Sequence, residues 1–105
     1  MPRYGILASH EPNSCPGANQ QVREFVEAIL VRMEEISKKH GVEMGELLHL
    51  DPSHMSFGTA TAPSIEAVRD FILEACLDQW NNVQVYPVTP VQELMQVMAE
   101  RPRLY

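Results

Sequence analysis

The sequence predicts an α+β domain, a four-stranded antiparallel sheet with two helices on one face and an extra helix at the C-terminal end. Three observations carry this. Apolar residues recur at spacings of three and four from Val22 to Ile36 and again from Ile65 to Cys76, as amphipathic helices require. Short strand-like runs lie before, between and after these two segments. The turn-forming residues Gly41, Asp51-Pro52, Ala62-Pro63 and Thr89-Pro90 fall between the runs and not within them.

The first strand runs from Tyr4 to Ser9, with Tyr4, Ile6 and Ala8 on one face and Gly5, Leu7 and Ser9 on the other. His10 falls on the Tyr4 face if the strand extends that far. Asn19 is the expected N-cap of the first helix. Val22, Phe25, Val26, Ile29, Leu30, Met33 and Ile36 form its apolar stripe, Lys38, Lys39 and His40 complement its negative end, and Gly41 stops it. Val42 to Leu50 and Met55 to Thr61 read as a hairpin around the turn Asp51-Pro52-Ser53-His54. Ser64 caps a second helix with Ile65, Val68, Phe71, Ile72, Ala75 and Cys76 on its buried side, ending near Asp78-Gln79-Trp80. Val83 to Val88 is the fourth strand. Thr89-Pro90-Val91-Gln92 reads as a capping box opening a short helix through Met98, and Arg101 to Tyr105 is a tail.

The order β-α-β-β-α-β is that of a ferredoxin-like domain spanning residues 1–105. Such a sheet leaves one face bare. Ile6, Leu7, Leu47, Leu48 and Leu50 make the strands apolar on more than one side, so a homodimer through the open face is expected.

Composition narrows the function classes. A hydrophobic fraction of 45% and a charged fraction of 21% are those of a folded protein. A net charge of −6 without a basic run disfavours nucleic acid and anionic membranes as partners. No apolar stretch approaches the ~20 residues that span a bilayer. Met1-Pro2-Arg3-Tyr4 leads straight into a strand without a signal-peptide pattern, so a cytoplasmic location is expected. Two cysteines do not make a disulfide framework.

Two segments support a closer comparison. Ala62-Pro63-Ser64-Ile65-Glu66-Ala67-Val68-Arg69 and Val85-Tyr86-Pro87-Val88, with the element order, make the chain resemble the dimeric α+β barrel superfamily. His10, Cys15, Pro16 and Asn19, with Gln79, Trp80 and Asn81, are similar to the His-x-x-x-x-Cys-Pro-x-x-Asn opening and Gln-Trp-Asn of small members of that group. The resemblance implies a fold and a dimer. It implies no particular reaction or cofactor.

Reactive groups concentrate between Ser9 and Asn19. A His, a Cys and a helix N-terminus in one loop suit either a Cys-His nucleophile or redox thiol, or a metal site. Free amides from Asn19 to Val22 are a candidate oxyanion site. The plain alternative for Cys15 is a residue packed beneath Pro16. For metal, His10 and Cys15 are the candidate ligands, with His49 as a third. His49 or His54 could join His10 only if the sheet aligned them; His54 most simply reads as a solvated turn residue, His40 as a dipole complement and Cys76 as a small buried hydrophobe. Gln79, Trp80 and Asn81 are candidate ligand-binding residues together with Asn19. The competing simple reading makes Trp80 a core plug or dimer contact. Whether this second cluster meets the first stays open at this level.

Three functions compete: a small-molecule-binding or catalytic domain with its pocket at His10 and Cys15, a copper-, nickel- or zinc-binding protein, and a non-catalytic interaction module. The first is favoured. Whether the protein is an enzyme, and with which cofactor, is left open.

Overall fold

A computed structural model describes residues 1–103, so Leu104 and Tyr105 of the expected tail lie outside the described residues. The elements are β1 (Arg3–Ser9), α1 (Gln20–His40), β2 (Glu43–His49), β3 (Met55–Thr61), α2 (Ile65–Glu74), β4 (Asn82–Pro87) and α3 (Val91–Glu100). The strands pair antiparallel in the order β2-β3-β1-β4, which is the ferredoxin-like order.

Helix boundaries follow local chemistry. Asn19 Oδ1 accepts the Val22 N–H, and Ser64 Oγ accepts the Ala67 N–H, so both expected N-caps form. Gly41 ends α1 in the left-handed region at φ +68°, where a Cβ would be strained. Two expectations need correction. The second helix stops at Glu74, four residues before Asp78, because Cys76 turns left-handed at φ +56° and a 3₁₀ turn, Leu77–Gln79, follows. The capping box at Thr89 does not form. Pro90 takes the cap position and no side chain bonds the first turn of α3.

The core lies between the sheet and the two main helices. Tyr4, Ile6 and Ala60 from the sheet meet Ile36 of α1 and Val68, Phe71 and Ile72 of α2, all buried. Strand β2 carries a bulge. Met44 pairs with Ala60 and Leu47 with Gly58, so Gly45 and Glu46 together oppose Thr59. The extra residue puts Met44 and Leu47 on the same face despite their odd spacing, which explains why β2 reads as apolar on two sides.

Helix α1 does not seat its whole stripe. Ile36 is fully buried, yet Phe25 and Leu30 are exposed. The N-terminal part of the helix stands off the sheet, and a cavity of about 430 Å³ lies beneath it. No helix among the described residues is long and apolar enough to cross a membrane.

Candidate functional site

The site forms where the central strand ends. Ser9, the last residue of β1, pairs with Met55 of β3 on one side and with Asn82 of β4 on the other. Continuing both registers by one residue sets His10 between His54 and Asn81. The contacts agree. The His10 N–H donates to the His54 carbonyl at 3.0 Å, and His10 Nδ1 lies 3.1 Å from Asn81 Oδ1. The first strand-to-helix loop and the Gln79-Trp80-Asn81 cluster therefore meet at one end of the sheet within a single chain.

The Asn81 amide has a fixed orientation, because its Nδ2 donates to the Leu77 carbonyl at 3.1 Å. Its Oδ1 must then accept from His10, which makes Nδ1 the protonated ring nitrogen and leaves a lone pair on Nε2. That Nε2 is fully buried and has no hydrogen-bond partner among the described residues. A buried polar atom left in this state calls for an explanation. The His10 ring stands edge-on to His54, centroids 5.3 Å apart, and 5.2 Å from the Trp80 ring.

Cys15 is held by its loop. Pro12–Ser14 form a 3₁₀ turn, and the Cys15 carbonyl accepts the N–H groups of Ala18 and Asn19 at 2.9 and 2.8 Å. Arg23 reaches back from α1, donating through Nε to the Pro16 carbonyl at 2.8 Å and through its guanidinium to that of Gly17 at 3.0 Å. The Cys15 sulfur accepts the Gly17 N–H at 3.4 Å and makes no hydrogen bond to His10 among the described residues. Arg23 had no signal in the sequence, since its role depends on a carbonyl six or seven residues back across a tight loop.

The remaining candidates divide. Asn19 is engaged at both ends of its amide, by Val22 and by the Asn13 carbonyl at 3.1 Å, as a cap that ties the loop together. With the Asn19 and Val22 N–H groups both bonded internally, the expected oxyanion site is reduced to the amides between them. His49 bonds Asp51 at 2.6 Å, outside the cluster. His40 bonds Glu74 at 2.8 Å and so does more than complement a dipole. His54, rather than His49, is the histidine that the sheet aligns with His10: it is half-buried, and its ring joins His10 and Cys15. The ligand atoms of these three side chains lie within 4.8 Å of one another.

Two cavities border this cluster. A polar one of about 600 Å³ is lined by His10, Glu11, Ser14, Gln79, Trp80 and Asn81, among others. The apolar one beneath α1 is lined by Phe25, Ile29, Met33 and Phe71 and also by Trp80 and Asn81. Trp80 and Asn81 thus belong to both walls. No protein-family model matches this chain, and no curated protein matches it.

Proposed function

We propose that this domain binds a small, largely apolar molecule beneath α1 and presents its polar end to the His10–Cys15 loop, where it is held or transformed. The observation that carries this reading is the shared wall of Trp80 and Asn81 between an apolar cavity and a polar one. A volume of about 430 Å³ falls in the range of ligand pockets, and a mostly apolar lining with a few polar groups is their usual chemistry. Ser56 and Asn81 are the polar groups at the apolar cavity. Exposure of Phe25 and Leu30 on α1 further supports an occupant for the space the helix leaves.

Trp80 is the single tryptophan of the chain and reports directly on this wall. The test uses anilinonaphthalene sulfonate as an apolar probe with an anionic end. Saturable, one-to-one energy transfer from Trp80 is expected. Filling the cavity with Ala8→Leu or Ser56→Leu should weaken it at least tenfold, while Phe57→Glu on the opposite sheet face should leave it unchanged. Equal affinity in both cavity-filling variants would refute the reading.

We infer also that two chains associate through the bare sheet face, in the manner of the dimeric α+β barrel superfamily, and that the dimer is a cytoplasmic protein. Leu48, Phe57 and Tyr86 are exposed on that face, and α3 buries none of its residues while exposing Val91, Leu94, Met95, Val97 and Met98. Apolar surface on this scale commonly marks an interface.

A further inference from the structure

We propose that His10 Nε2, Cys15 Sγ and a ring nitrogen of His54 form a binding site for a transition-metal ion of the zinc class, with Asn81 orienting His10. The site does not depend on the apolar cavity and stands or falls separately from the ligand reading above.

His10 is already oriented toward an ion. Its Nδ1–H is committed to Asn81, and Asn81 is committed to Leu77, so the lone pair on Nε2 is set by two successive hydrogen bonds. Metal-binding histidines share this arrangement, one ring N–H donated to a carbonyl or carboxylate and the other nitrogen facing the ion. Here that nitrogen is buried without a partner among the described residues, an arrangement that costs free energy unless something accepts the lone pair. Nothing among the described residues does.

Two further donors converge on His10. Cys15 arrives from the loop after β1, and His54 from the turn before β3, pinned by the His10 N–H to its carbonyl. Among the described residues this is the group of histidine, cysteine and carboxylate side chains close enough to share an ion. Its donor atoms lie within 4.8 Å of one another, whereas donors around a tetrahedral zinc sit roughly 3.5 Å apart, given bonds of about 2.0–2.1 Å to nitrogen and 2.3 Å to sulfur. Closing the gap takes about 1 Å. The His54 side chain makes no hydrogen bond among the described residues, so its ring is free to turn inward, while the Arg23 bonds keep the Cys15 loop in place.

Two imidazoles and a thiolate, with no carboxylate in the set, select a borderline ion over magnesium or calcium. On binding, the Cys15 thiol loses its proton to solvent and the sulfur becomes a ligand. Three protein ligands leave one tetrahedral position for water or another small ligand, the pattern of catalytic rather than structural zinc.

The test is titration of the chelator-stripped full chain with Co²⁺ as a spectroscopic stand-in, followed by displacement with Zn²⁺. One Co²⁺ per chain is expected, with a thiolate-to-cobalt charge-transfer band and the visible bands of four-coordination. Cys15→Ser should abolish the charge-transfer band, and His10→Ala and His54→Gln should each weaken binding at least tenfold. His49→Ala should bind like wild type. Asn81→Leu should weaken binding about 10–100-fold, while Asn81→Asp, which keeps an acceptor for Nδ1–H, should preserve it. Circular dichroism of each variant separates loss of ligand from loss of fold. Absence of the charge-transfer band in the wild type, or wild-type affinity in folded His54→Gln, would overturn the proposal.

Discussion

The N–H of His10 donates to the carbonyl of His54 at 3.0 Å, continuing the β1–β3 ladder by one residue past its last strand pair. Because β1 is central, the same step on its other side brings His10 to Asn81. One residue thus inherits neighbours from two separate segments. The sheet register, more than any local motif, assembles the site.

This dependence makes Asn81 a structural as well as a functional residue. In Asn81→Leu the His10 Nδ1–H loses its partner, while the Leu77 carbonyl loses the side-chain amide but keeps the Asn81 backbone N–H at 3.1 Å. Leaving a half-buried donor unsatisfied costs about 1–3 kcal/mol, so urea unfolding should show a lower midpoint with an unchanged slope. Asn81→Asp should recover most of the loss at His10.

How much of this is legible in the sequence depends on whether a residue's role is local. Caps and stops are local: Asn19, Ser64 and Gly41 do what their types and positions imply. His54 is not. Beside Asp51-Pro52-Ser53 it reads as a solvated turn residue, and only the pairing of β1 with β3 shows that the turn closes over His10. The same holds for Trp80 and Asn81, which precede a strand that starts where β1 ends. The ferredoxin-like order places both neighbours of His10, because β1 pairs with β3 on one side and with β4 on the other. Cys76 was beyond reach, since a left-handed cysteine has no composition signal. So was the bulge in β2, where Gly45 and Glu46 together oppose Thr59.

Phe71 tests the core. It is 1% exposed and packs in the cluster that joins α2 to the sheet. Phe71→Ala should cost about 3–5 kcal/mol. Against a total of about 5–15 kcal/mol for a domain, the variant should be marginally folded at best, read as a large drop in urea midpoint.

Gly41 tests the α1 terminus. A Cβ there would meet only Pro63 at 3.6 Å, an ordinary contact, so space is not the obstacle. The φ of +68° is. Gly41→Ala should therefore destabilise by about 1 kcal/mol through backbone strain, while Gly41→Asn, which tolerates the left-handed region, should lose less.

Glu74 sets an acid limit on stability. Hydrogen bonds from Lys39 and then from His40 hold its carboxyl below the ordinary value, while burial opposes the shift. Lys39 Nζ and His40 Nε2 lie 2.9 and 2.8 Å from Oε1, and Arg32 lies 3.7 Å from Oε2. A carboxyl whose folded value is lowered binds fewer protons than in the unfolded chain, so its contribution is present above the ordinary carboxylate range and is lost as pH falls through the folded value. Melting temperature measured from neutral to acid pH should fall less steeply in Glu74→Gln than in wild type. Equal slopes would show that the cluster linking α1 to α2 is screened to insignificance.

The bare sheet face makes the last prediction. Phe57 lies between Leu7 and Leu48 in register, and Gly5 leaves room beside it, since a Cβ there would come within 3.4 Å of the Phe57 ring and 3.1 Å of Val88. The outcome is a continuous apolar strip of Leu48, Phe57 and Leu7 with Val88 and Tyr86 alongside. A two-fold interface sets such a patch against its own copy, so a charge placed at its centre meets the same charge across the axis. Phe57→Glu should therefore sediment as a monomer where the wild type sediments as a dimer. Its circular dichroism should stay that of a folded domain, because Phe57 is already 38% exposed in the single chain. Wild-type protein that sediments as a monomer at micromolar concentration would rule out this face as a stable interface.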